Sequence, residues 1–116
     1  MGDKDLAERL FEFAVAVLLF VKTLPDTPEN RIIRYQLVKS SSSSGANYEE
    51  SQAGSSKPDF SNKIRISLRE MRESNYWLRL IQRTESTIDK EQNDYLIKES
   101  SELMNILGSI AQKCRN

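Results

Sequence analysis

Arg65, Arg69, Arg72, Tyr76, Arg79 and Arg83 advance in steps of four, three, four, three and four. At about 100° per residue such a series stays within about 40° of one line along an α-helix. Guanidinium groups in a row can each hold a phosphate through paired N–H donors, and a tyrosine among them can stack a base. Together they would grip a nucleic acid without reading its sequence. The charge is local. Residues 60–84 carry six positive groups, Lys63 and the five arginines, against Glu70 and Glu73, a net of +4, whereas the whole chain balances 17 Lys and Arg against 17 Asp and Glu. A polyanionic partner, RNA or DNA, must therefore be argued from this row and not from the total. A second reading stays open. Charged helical faces are commonly just solvated, and these arginines could pair with Glu85, Glu91 or Glu102 of another copy, making the chain a protein-interaction module that binds no nucleic acid.

Other chemistry is sparse. The chain has no histidine, which removes the commonest general base and the commonest metal ligand. Gly2, Gly45, Gly54 and Gly108 are isolated, so no phosphate-cradling loop is present. Glu50, Glu70, Glu73 and Glu99 could meet inside a bundle, but carboxylate-bridged metal pairs usually need Glu-x-x-His, which this chain cannot supply. No catalytic residue, metal or cofactor is expected. The carboxylates fit a structural role better. Gln36, Ser40, Ser43, Asn47 and Glu50 share one helical stripe and could hydrogen-bond to Lys63, Glu70 or Glu73 on the next helix, fixing register. Trp77, at the edge of the apolar face, is expected in the core or at an interface.

These side chains need elements to hold them, and the spacing predicts four helices, at about residues 4–22, 28–53, 59–84 and 90–113, in a single domain. Leu6, Leu10, Phe13, Val17, Phe20 and Leu24 mark the core face of the first. Ala14, Val15, Leu18, Leu19 and Val21 fill the other faces of its second half, so that half should be covered from more than one side, most economically by a second copy of the chain, with looser packing or a sequestered hydrophobic patch as the alternative. Thr27-Pro28 reads as an N-cap and first-turn proline. Ser40 to Ser44 followed by Gly45 has the composition of a linker, yet the four-and-three spacing of the polar stripe argues for an unbroken helix. Pro58-Asp59 opens the third helix, with Phe60, Ile64, Leu68 or Met71, Leu78 and Ile81 inward. The fourth buries Leu96, Leu103, Ile106, Leu107, Ile110 and Ala111. The apolar run Phe13 to Val21 is too short to span a bilayer and lacks the flanks of a signal peptide, and Leu6 stands where a myristoylation motif needs Ser or Thr. No membrane contact is expected. The sole cysteine, Cys114, fits a reducing compartment, so the expected location is cytoplasmic.

Several of these residues carry a likeness. Leu24-Pro25, Gln36-Leu37, Ser40, Ser43, Ala46-Asn47-Tyr48, Glu50, Asp59-Phe60, Lys63, Glu70, Glu73, Tyr76-Trp77-Leu78 and Glu99 resemble the 23S rRNA-intervening-sequence proteins, small bacterial four-helix bundles. The resemblance implies an all-α, antiparallel up-down bundle with the serine run inside helix two. It also implies a ring-like homo-oligomer, a pentamer, and contact with RNA or DNA in a family of largely unassigned role. A related accessory protein of diversity-generating retroelements looks strongly basic, whereas this chain is neutral.

Overall fold

The computed structural model describes residues 3–54 and 56–115, with side chains from Leu6 onward. Four helices, α1 (Asp3–Val21), α2 (Pro28–Ser51), α3 (Lys57–Thr84) and α4 (Lys90–Lys113), make a bundle 45 × 25 × 20 Å in extent, and no strand occurs among the described residues. Each of the last three helices begins on a side-chain cap that satisfies an otherwise orphaned N–H. Thr27 accepts from the Asn30 N–H at 3.0 Å, Ser56 from Asp59 at 3.3 Å and Asp89 from Gln92 at 3.1 Å. Pro28 and Pro58 occupy first-turn positions, where a missing N–H costs nothing. Gly54, at a φ of 84°, turns the chain between α2 and α3 in a backbone region that side chains disfavour.

α1 packs against α2 and α4, α3 against the same two, and α1 and α3 face each other diagonally across the shared core. Leu6, Leu10, Phe13, Val17, Phe20 and Leu24 are all buried, as their spacing predicts, and meet a core that includes Leu37, Tyr48, Ile64, Met71, Leu78, Leu96, Leu103 and Leu107. Burial of each such side chain contributes about 1.5–3 kcal/mol. Of the residues expected on the other faces of α1, Val21 is buried within the chain and Ala14 half-buried, so the bundle covers more of α1 than its spacing predicts. On the outer side Phe11 is 60% exposed, Leu19 58%, Leu18 47% and Val15 37%.

The serine run lies within α2, and Ser40, Ser41 and Ser44 are buried. Two pairs stitch α2 to α3. The Ser44 hydroxyl donates to the Ser67 carbonyl at 2.8 Å while the Ser67 hydroxyl donates to the Ser44 carbonyl at 2.7 Å. Further along, the Ser40 and Ser74 hydroxyls are 2.7 Å apart. Serine is small enough for two backbones to approach and polar enough to use a carbonyl's second lone pair once they have. Gly45 repeats the closeness towards α1, since a Cβ there would stand 3.4 Å from that of Leu10.

This seam corrects the expected polar network. Of that set only Ser40 bonds across to α3. Asn47 donates to Ser43 within α2, at 2.9 Å to its carbonyl. On α3, Glu73 accepts from Trp77, and Glu70 takes a hydroxyl of Ser74 on its backbone carbonyl and lies 3.9 Å from Arg69. Glu50 is exposed, and no hydrogen bond joins it or Gln36 to Lys63 among the described residues. The buried line runs Ile33, Leu37, Ser40 and Ser41, Ser44, Tyr48 and Ser51. Apart from Ser40, the predicted stripe precedes it by one residue, about 100° round the helix. Leu37 and Tyr48 decide which line faces inward, because burying them releases far more free energy than burying Gln36 or Asn47.

α1 is tied to α4 by Arg9, whose Nε and Nη2 reach the two carboxylate oxygens of Glu99 at 3.0 and 2.7 Å, with Glu102 at 3.0 Å from Nη2. The hydrogen bonds that the guanidinium donates to Glu99 hold its pKa above its already high ordinary value against an opposing effect of burial, so Arg9 stays charged throughout the folded range.

Two stability measurements check these contacts. In urea unfolding, Ser44→Ala and Ser67→Ala each lose about 1 kcal/mol, and the double variant loses less than their sum because the two hydroxyls also meet at 3.2 Å; strict additivity would show that the two hydroxyls are not coupled. Arg9→Leu loses roughly 1–3 kcal/mol by stranding Glu99 beside Glu102, and Arg9→Leu with Glu99→Leu recovers much of it. A double variant less stable than Arg9→Leu would refute this account.

Candidate nucleic-acid interface

The inward line of α3 is Ile64, Ser67, Met71, Ser74, Leu78 and Ile81, all buried. Because Ser67 and Ser74 are pinned to α2, the rotation of α3 about its axis is set, and the line of Arg65, Arg69, Arg72, Tyr76, Arg79 and Arg83 lies about 140° round the helix from the core direction. All six residues are exposed. From Arg65 to Arg83 the row is about 27 Å long at the helical rise of about 1.5 Å per residue.

The arginines differ in how firmly they are held. Arg65 donates to the Ser61 hydroxyl at 2.6 Å, and Arg69 lies 3.9 Å from Glu70, a loose exposed ion pair of small energetic weight. Arg72 and Arg83 meet no hydrogen-bonding or ionic partner among the described residues. Arg79 is the most firmly placed. Its Nε donates to Asn75 Oδ1 at 2.9 Å, and its guanidinium carbon sits 5.8 Å from the centre of the Tyr76 ring. Asn75 is buried, and its amide nitrogen is anchored to α4, at 2.9 Å from the Ser100 hydroxyl and 3.3 Å from the Ile97 carbonyl. The Tyr76 ring meets Trp77 edge to face at 5.2 Å and an interplanar angle of 79°. Trp77, half-buried against the core, donates its indole N–H to Glu73 at 3.0 Å.

Two concavities adjoin the row. Tyr76, Arg79, Leu80, Gln82 and Arg83 enclose an open cleft of about 250 Å³. Between α3 and α4, Leu68, Arg72, Met104 and Lys113 help line a groove of about 600 Å³. The positions of the arginines can be read from their spacing. Asn75 and Ser61, which orient Arg79 and Arg65, escaped notice, although each stands four residues before its arginine, where side chains on a helix meet.

The carboxylates considered as metal ligands are dispersed. Glu99 is committed to Arg9, and no group of three or more Asp, Glu or Cys side chains placed to hold a metal ion occurs among the described residues. Among those residues no helix is long and apolar enough to cross a membrane.

The row is therefore a cationic, partly preorganised surface on a four-helix scaffold, and comparison with known proteins is consistent with that scaffold. The 23S rRNA-intervening sequence protein family model matches residues 3–109. The chain is also similar to the crystal structure of a protein with unknown function from the S23 ribosomal protein family of Bacteroides thetaiotaomicron. The two share 35% sequence identity at a TM-score of 0.81, over 91% of this chain and 97% of that one. No curated protein matches. With the match extending over nearly all of its length, the chain belongs to the 23S rRNA-intervening sequence protein family.

Proposed function

We propose that this chain is a non-enzymatic, homo-oligomeric binding protein that contacts RNA or DNA through the arginine row of α3. The observation that carries the reading is the row itself, five guanidinium groups on one exposed line with a single loose ion pair among them. Counterion release on phosphate binding rewards such unneutralised charge. The family's association with an rRNA intervening sequence is in keeping with it.

In the competing reading the arginines serve only assembly, pairing with Glu85, Glu91 or Glu102 of another copy. Two of those acids are already engaged within the chain, Glu102 with Arg9 and Glu85 with Asn30 and Thr87. The outer face of α1 offers a better assembly surface, with Phe11, Val15, Leu18 and Leu19 exposed. On this reading the helices run up and down in turn, as the α2–α3 serine pairs support, and copies join through α1 into a ring, a pentamer by resemblance to the family. The cytoplasm is the setting that suits the free Cys114.

Fluorescence anisotropy with a labelled oligonucleotide at several salt concentrations tests the binding. Affinity should fall steeply with salt, and Arg69→Ala with Arg72→Ala should make the logarithmic slope shallower by roughly 1.4–1.8. No binding at low salt overturns the reading. Light scattering tests the assembly: an oligomer is expected at micromolar concentration, and Leu18→Glu with Leu19→Glu should dissociate it. A monomeric parent protein would refute the role given to α1.

A further inference from the structure

The cleft beside Tyr76 narrows the kind of nucleic acid that the row can take. A duplex presents phosphates and groove edges but keeps the faces of its bases stacked inside, so an aromatic platform is useless to it. Tyr76 stands in the middle of the arginine row and is 50% exposed, with Trp77 meeting its ring edge to face and the Arg79 guanidinium over one face of it, which leaves the other face for a base. A ring held in this way loses little freedom when a base stacks on it.

The cleft has the parts that one base needs. Tyr76 and Leu80 offer flat and apolar contact, and Arg79 and Arg83 line the same cleft with guanidinium groups that can take neighbouring phosphates. Gln82 gives its amide N–H to Asp94 at 2.8 Å, which leaves its carbonyl oxygen as an acceptor for a base or ribose donor. A volume of about 250 Å³ is enough for one base. Arg79, through Asn75, is anchored to α4, so the cleft keeps its shape without a ligand.

The row's geometry agrees. Five arginines over about 27 Å stand on average about 7 Å apart along a straight helix. Duplex phosphates wind away from a straight line, whereas an unstacked strand has the flexibility to follow the row.

We infer that the Tyr76–Arg79 cleft seats one unstacked nucleobase, so that the occupant of the arginine row is a single-stranded nucleic acid lying along α3. This inference rests on the nucleic-acid reading above, and one set of titrations separates the two. Labelled oligo(U) and oligo(dT) of 12 nucleotides and a 12-base-pair duplex are titrated by anisotropy at low salt. Both single strands should bind at least roughly tenfold tighter than the duplex. Tyr76→Ala should weaken single-strand binding at least roughly fivefold, the lower end of what a stacked base contributes, with an unchanged salt slope because no phosphate contact is lost. Tyr76→Phe should bind as the parent does, whereas Arg79→Ala should reduce the slope by about 0.7. A duplex bound as tightly as either strand, or Tyr76→Ala binding like the parent, overturns the base seat and leaves the arginine row standing. No binding of any of the three overturns both readings.

Discussion

Two helices can approach closely only where their facing side chains are small, and polar atoms can be buried at that closeness only if they find partners. Ser44 and Ser67 meet both conditions by exchanging hydroxyl-to-carbonyl hydrogen bonds at 2.8 and 2.7 Å, and Ser40 with Ser74 repeats the contact one layer on. Much else follows from this seam. It turns a run of serines with the composition of a linker into the tightest part of the bundle. It also sets which way α3 faces, and so where its arginines point.

Those arginines and the apolar outer face of α1 are two surfaces with different physics. Phe11, Leu18 and Leu19 gain by leaving water, a gain that salt does not screen. Arg72 and Arg83 gain from anions, and that gain weakens steeply as salt rises. Having both on one small chain explains its composition better than either alone: an apolar excess concentrated in α1, a cationic excess concentrated in α3, and no net charge.

The helices were legible because their signals are local. Thr27-Pro28 and Pro58-Asp59 mark starts through capping chemistry, and the period of Leu6 to Leu24 marks a core face that every other element then has to meet. The polar seam was legible only in part. Serine spacing showed that α2 continues, but two overlapping four-and-three patterns, one residue out of register, run through the same segment. Choosing between them required knowing that Leu37 and Tyr48 outweigh Gln36 and Asn47. The row of α3 could be read as a line, yet its local differences could not, because Arg79 owes its position to Asn75, and Asn75 owes its own to Ser100 on another helix. Contacts between elements leave little trace in the spacing within one.

The diagonal placement of α1 and α3 has a consequence for how the two surfaces communicate. With the core between them, substitutions of exposed side chains on one should leave the energetics of the other nearly untouched. Any dependence of cargo affinity on assembly would then be a matter of valence and not of shape change. If copies assemble through α1 as proposed, each would bring an identical row within reach of the same ligand, raising the effective concentration of the next contact while altering none of them.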